Sequence, residues 1–405
     1  MKDRLAAITG IGVVATCGSG VEDFWRGLAT EPGARAQPLL VDAFDPSPWL
    51  GPKAARRLDR FSQLAVAAAA MAVDDAGLAA DQVDPGRSGV LVATGVGGLA
   101  SYDEQLRVLQ ERGSKRVSPF LIPMLMPNAA AAAVSMRMGW KGPCETVTTA
   151  CAAGTHGVAN AMRWIESGRC ETVLAGASEA HPSPVGLAAF GNMTALSPQG
   201  LSRPFDDERD GFVASEGAAL LVLEELERAQ DRGAHVYAVL LGAASNADAH
   251  HLTAPLEAGE GALDCMRLAL EDAELTPADV AHVNAHGTST VLNDAAEATA
   301  ITALFGRPGP PVTSIKGVVG HSFGAAGALE AAAAALTIDR CSIPPTAGYR
   351  TPDPAMAIDV VAGACRPFTP GPVLSNSFAF GGHNGCLVLA PSGHRRLTAE
   401  PEVRR

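Results

Sequence analysis

The sequence predicts an α/β protein made of two similar halves, residues 1–234 and residues 235–405. Three observations carry that prediction. Short β-branched runs alternate with Ala-rich stretches along the chain, the pattern of layered strands and helices rather than of segregated classes. Four segments of the first half are echoed in the second, in the same order. Of 405 residues, 47% are apolar, enough for a sizeable core, and 43 glycines with 5% aromatics suit tight turns and closely packed helices.

The elements follow from the paired segments. RLAAITGIGVVATC from Arg4 reads as a first strand, and its echo is HVYAVLLGAASNAD from His235. The apolar start imitates a secretion signal, but Asp3 and the interrupting Gly10 and Gly12 favour a strand. SGVLVATGVGG from Ser88 pairs with VAHVNAHGTST from Val280. CETVTTACAAGTHGV from Cys144 pairs with PVTSIKGVVGHSFGAAGAL from Pro311, each a short strand, a turn and a helix of small residues. The first of these helices is expected to run to Ser167, with Gly168 as its stop. GFVASEGAALLVLEE from Gly211 pairs with FAFGGHNGCLVLA from Phe378, whose last strand is Leu387 to Ala390. The halves join near Ala229 to Ala234. If they pack about a pseudo-twofold axis, Cys151 and His321 face each other at equivalent helix starts.

Charge and cysteines exclude several classes. The formal charge of −12 argues against wholesale nucleic-acid binding, since phosphate affinity comes from dense Lys and Arg. No uncharged apolar run reaches the roughly 18 residues of a spanning helix, Glu330 breaking the stretch from Phe323 to Ile338. The eight cysteines include no Cys-x-x-Cys and read as reduced, mostly buried thiols of a cytoplasmic protein. Gly10-Ile-Gly12 imitates a dinucleotide loop, but the acidic residue it needs is missing, Glu31 lying in a connection. Gly176-Ala-Ser178 lacks the last glycine of a nucleophile elbow. His250 and His251 are adjacent, so they do not share a helix face, and no metal spacing completes them.

Four places carry chemistry. Cys151 stands at a helix start, where free N–H groups favour thiolate, although a buried structural cysteine is the commoner fate. Asn284-Ala-His286-Gly-Thr288-Ser-Thr290 closes an apolar run, at the strand end where open α/β sheets keep their ligand crevice. Ser314-Ile-Lys316 to Gly320-His321 adds a lysine with apolar flanks and a second histidine. Phe378-Ala-Phe380-Gly-Gly382 is a loop able to present backbone N–H groups to an oxyanion.

Together these residues resemble the β-ketoacyl-[acyl-carrier-protein] synthases over essentially the whole length. The motifs are Thr149-Ala-Cys151, Asn284 to Thr290, Gly320-His321 and Asn376 to Gly382, joined by Arg203-Pro-Phe-Asp206 and Arg209-Asp-Gly-Phe212. The resemblance is to the condensing enzymes that elongate acyl chains in bacterial type II fatty acid synthesis. It implies the thiolase fold, two duplicated halves in five αβαβα layers, and a homodimer. It implies a ping-pong Claisen condensation in which Cys151 takes an acyl group from acyl carrier protein and a decarboxylated malonyl unit then attacks it. The Cys151 and Phe380 N–H groups would form the oxyanion hole. His286 and His321 would stabilise the enolate, and Lys316 would orient His321. Thr288, Thr290 and Thr253 would meet the pantetheine arm, with Phe190 and Phe380 as further substrate contacts. No cofactor or catalytic metal is implied, because 4'-phosphopantetheine arrives on the carrier. Glu330 would be structural or near a monovalent cation.

An acidic carrier needs a basic patch on a chain of charge −12. Lys53, Arg56, Arg57 and Arg60 are spaced so that one helix face presents most of them, and they match the family's docking region. Ala379 replaces the glycine usual in the gating loop, and its Cβ is expected to stiffen Phe380. Met124, Met126, Met136 and Met138 would lie near the acyl pocket and dimer interface, or fill core gaps. The alternatives are a type II polyketide or polyene ketosynthase with a chain-length subunit, a silent chain-length subunit, and a thiolase with Cys386 as second cysteine.

Overall fold

The structure is a computed structural model that describes residues 4–394 apart from 31, 32, 34, 35, 43, 181, 182 and 308. Glu31 lies outside the described residues. Ten strands and six helices carry the architecture. In the first half the strands are β1 (Ala6–Ala15), β2 (Ser88–Ala93), β3 (Cys144–Glu145), β4 (Thr172–Glu179) and β5 (Gly217–Glu225). In the second they are β6 (Ala238–Ala247), β7 (His282–Asn284), β8 (Pro311–Thr313), β9 (Val373–Ala379) and β10 (His383–Ala390). The spatial order is β1-β5-β4-β2-β3 in one half and β6-β10-β9-β7-β8 in the other. Each half has two antiparallel pairs followed by two parallel ones. The same walk is therefore made twice, and β1 meets β6 antiparallel at Ala6–Leu240 and Ile8–Ala238.

The helices are α1 (Arg60–Asp75), α2 (Ala129–Met138), α3 (Ala153–Glu166), α4 (Glu260–Asp272), α5 (Val291–Phe305) and α6 (Ala326–Asp339). Three apolar cores define the layers. One is built by α1 and α2 on the outer face of the first half, and one by α4 and α5 on the outer face of the second. Between them lies a central core containing the apolar faces of α3 and α6 and inward side chains of both halves. That is helix, sheet, helix, sheet, helix, the thiolase fold. A helix apolar on every side has to be buried. AGALEAAAAALTID does this in α6, where every residue but Asp339 is buried.

Glycine serves close packing here. A Cβ at Gly10 would fall 2.2 Å from Ala72 O and one at Gly12 1.8 Å from Ala68 O, so these residues seat α1 on β1 rather than cradle phosphate. Gly168 ends α3 at φ +69, as expected. Among the described residues no helix is long and apolar enough to cross a membrane. Among the described residues no cysteine is in a disulfide, but Cys144 and Cys341 are exposed, so burial is less general than expected. Of the four methionines Met124, Met126, Met136 and Met138, the last packs against the outer core of the first half, whereas two others stay outside it. Met126 and Met136 are 41% and 76% exposed and join Phe120 and Ile122 as surface apolar groups.

Candidate active site

The parallel strands of each half end at the same cavity, and the loops after them supply its side chains. Cys151 follows β3 and stands just before α3. Its turn is closed by Ala152 N–H to Thr149 O (3.2 Å) and Ala153 N–H to Ala150 O (3.1 Å), with Ala150 at φ +50. His321 follows β8, and the first half holds its backbone. Its N–H reaches Val213 O at 2.7 Å, and its carbonyl accepts from Ser215 N–H at 3.0 Å. His321 Nε2 lies 3.2 Å from Cys151 Sγ. The ligating atoms of Cys151, His286 and His321 all lie within 4.8 Å of one another.

His286 follows β7. Glu297, on α5, accepts from the N–H groups of His286 and Gly287, both at 2.8 Å, which fixes the turn. Gly287 is required there, since its φ is +38 and a Cβ would fall 2.5 Å from Ser314 Cβ. Lys316 corrects one expectation. Its Nζ faces His286 rather than His321, lying 3.2 Å from Nδ1 and 2.6 Å from the His286 carbonyl, with the Glu330 carboxylate as third partner. Three partners match the three protons of an ammonium. The lysine thereby occupies His286 Nδ1 and leaves the imidazole proton to Nε2. Glu330 also receives the Ser377 hydroxyl at 3.4 Å, so both carboxylate oxygens carry a hydrogen bond.

Burial holds His286 and His321 well below the ordinary histidine pKa, and the Lys316 charge pushes both the same way. Both rings are neutral. Burial also pushes the Cys151 thiol up to about 12, against the Lys316 charge and the Phe380 N–H bonded to the sulfur, which lower it. The expected thiolate is thus replaced by a resting thiol, because desolvation outweighs the Lys316 charge and the Phe380 N–H.

The cavity measures about 750 Å³ and is bordered by Cys151, both histidines, Thr253, Thr288, Thr290, Phe190 and Phe380. Thr290 also caps α5 through Asn293 N–H at 3.3 Å and meets the Thr288 hydroxyl at 2.9 Å. Thr253 leans on His251, whose Nδ1 accepts from the Thr253 and Ala254 N–H groups, a turn cap and not a metal pair. The positive φ of the gating loop falls on Gly381 and Gly382, while Ala379 is extended at φ −119, ψ 159. Alanine is therefore unstrained, and the expected stiffening has no basis in this backbone.

The basic patch is smaller than its spacing suggested. Gly51 at φ +67 interrupts the first short helix, Ser47–Ala55, and Asp59 caps the next, so the four cations do not share one helix face. Arg60 is half-buried and held by two 2.7 Å bonds to the buried Glu216. Lys53, Arg56 and Arg57 remain exposed, Arg57 over the Phe120 ring at 4.9 Å. Two other motifs resolve as structure. Ser178 donates to Phe61 O at 2.6 Å inside β4, and Cys386 is buried in the outer core with its thiol 3.3 Å from Asn376 Oδ1. Glu297 went unnoticed in the sequence, since a glutamate within an Ala-rich helix gives no sign of reaching back to a histidine turn.

A thiol and two neutral imidazoles from opposite halves, meeting in one apolar cavity of a duplicated fold, define a thiolase-fold condensing enzyme. The chain belongs to the β-ketoacyl synthase family. Residues 30–229 match the family's N-terminal domain and residues 237–350 its C-terminal domain. It is 38% identical over 410 residues to 3-oxoacyl-[acyl-carrier-protein] synthase 2 of Synechocystis sp., covering 96% of this chain and 98% of that protein. Among solved structures, the ishigamide ketosynthase/chain length factor is similar at a TM-score of 0.91 and 35% identity, over 96% of this chain and 100% of that one. A type II PKS ketosynthase in complex with its acyl-carrier protein is similar at 0.88 and 31%, over 96% and 99%.

Proposed function

We propose that this enzyme condenses a Cys151-bound acyl group with malonyl-acyl-carrier protein, releasing carbon dioxide and a β-ketoacyl thioester two carbons longer. The 3.2 Å contact between His321 Nε2 and Cys151 Sγ is the observation that carries the reading. A thiol attacks a thioester only as its proton leaves, and His321 is the base in reach. The proton passes to the departing pantetheine sulfur, so the first half-reaction closes without net proton change. The Cys151 and Phe380 N–H groups hold the oxyanion. In the second half-reaction the malonyl C–C bond breaks, and its electron pair forms the enolate. His286, protonated at Nε2, donates to the enolate oxygen. The enolate carbon then attacks the acyl carbonyl, and the Cys151 sulfur leaves and takes up a proton from water, which restores the resting thiol.

Fatty acid synthesis is the pathway favoured by the curated relatives, and the localisation proposed with it is the cytoplasm. Polyketide assembly with a chain-length subunit is the second reading, favoured by the solved ketosynthases. Thr288, Thr290 and Thr253 meet the pantetheine, and no cofactor is needed beyond what the carrier brings. A homodimer is supported by the exposed apolar groups Phe120, Ile122, Met126 and Met136. Incubation with a panel of acyl-carrier proteins plus malonyl-carrier protein, with products identified by mass, tests the reading. The Cys151→Ala variant is expected to form no condensation product.

A further inference from the structure

Three rings stand in near-parallel register along the cavity wall up to the nucleophile. Phe190 stacks on Phe323 with centroids 5.0 Å apart and planes at 21°. Phe323 stacks on His321 at 5.3 Å and 24°. His321 Nε2 then meets Cys151 Sγ at 3.2 Å. Phe212 stands edge-on to all three, at 76°, 86° and 82°, and braces the column. Phe212 and Phe323 are 3% and 8% exposed, so the rings have little room to splay. Phe190, Phe212 and Phe323 all border the cavity. The Phe323 backbone sits at φ +48, a left-handed conformation that a bulky side chain rarely adopts. Strain of that kind persists where the surroundings impose it, and it clusters at ligand-binding sites.

A fixed column of stacked rings beside the cavity suits a flat ligand. A saturated chain has to freeze its rotors to lie along such a column. A conjugated chain is planar beforehand and offers a π-face to ring edges and faces. We propose that the acyl group carried on Cys151 is a planar, conjugated polyenoyl chain, preferred over a saturated chain of equal length. The inference rests on the condensing reading above and names its donor. It also fixes the reactions that must precede each new round. The β-ketone is reduced by a separate nicotinamide-dependent enzyme and water is lost, and the resulting alkene is left unreduced.

The test is competitive acylation of Cys151 by octanoyl and all-trans-octa-2,4,6-trienoyl thioesters of one carrier protein, read by intact-protein mass. Each rate is divided by that of the same thioester with free cysteine, which removes the lower electrophilicity of the conjugated carbonyl. The trienoyl donor should lead by about tenfold, the scale of two aromatic contacts. Phe190→Leu and Phe323→Leu should each shrink that lead, by slowing the trienoyl donor more than the octanoyl. Phe190 is partly exposed, so its variant keeps the test informative if Phe323→Leu fails to fold. An octanoyl rate equal or higher in the unsubstituted enzyme overturns the proposal, as does a lead that neither variant changes. No adduct from either donor overturns the condensing reading and this inference with it.

Discussion

At the residue scale the decisive arrangement is Lys316 between His286 and Glu330. Lys316 and Glu330 are each 1% exposed, a buried ion pair made tolerable by complete use of the ammonium protons. Lys316→Met leaves a buried carboxylate unpaired and should cost about 3–5 kcal/mol of stability in urea unfolding. The double variant Lys316→Met/Glu330→Gln should recover much of that stability. Its condensation rate should still be down by roughly 10²-fold, the scale of one lost oxyanion donor, because nothing then fixes the His286 tautomer. Recovery of both stability and rate in the double variant would assign the lysine a purely structural role. The three reacting groups were legible in the sequence because each lies in a short motif at a strand end. The partner of Lys316 was not. Five positions along the chain point to His321, whereas the fold brings up His286 from 30 positions away.

At the element scale, α3 and α6 place the thiol and the second histidine, and they cross with almost no space between them. A Cβ on Gly327 would lie 2.2 Å from Thr155 Oγ1 and 2.6 Å from Thr155 N, and one on Gly154 2.6 Å from Ala328 N. Gly327→Ala should therefore push the helices apart and cost about 1–3 kcal/mol, seen as a lowered Tm. A shift near 1 Å at a reacting pair costs about 10² in rate, so kcat/KM should fall much further than stability alone suggests. The repeat order made these two helices legible as equivalents before any coordinates. The limits of the docking helix were not legible. Its charge spacing assumed an unbroken helix, and Gly51, Asp59 and the buried Glu216 divide that segment into parts with different roles.

At the scale of the whole molecule, two consequences follow from burial and charge. His282 is 1% exposed with no hydrogen-bond partner for either ring nitrogen among the described residues, and burial pushes it down to about 3. Its unfolded pKa is near 6.5, so between about 6.5 and 3 the unfolded chain takes up a proton that the folded chain refuses. Stability falls as pH drops through that window, by about 1.4 kcal/mol per pH unit for such a histidine. His282→Leu should reduce the slope of stability against pH by about one proton in urea unfolding at pH 7 and pH 5. An unchanged slope would mean that the ring is protonated in the fold. Of the four cations expected to dock a carrier, Lys53, Arg56 and Arg57 stay exposed and would be the ones to meet an acidic partner on a chain of charge −12. Arg56→Glu/Arg57→Glu should raise KM for carrier-bound substrates severalfold and leave kcat near its original value. Equal KM values in the two proteins would remove the patch from the docking surface.

The most direct measurement is the mass of the intact protein after mixing with an acyl-carrier thioester. The account predicts a single acyl adduct on Cys151 that disappears as β-ketoacyl product when malonyl-carrier protein is added, and no adduct in Cys151→Ala. Product formation by Cys151→Ala, or turnover by the unsubstituted enzyme without any adduct, would contradict it.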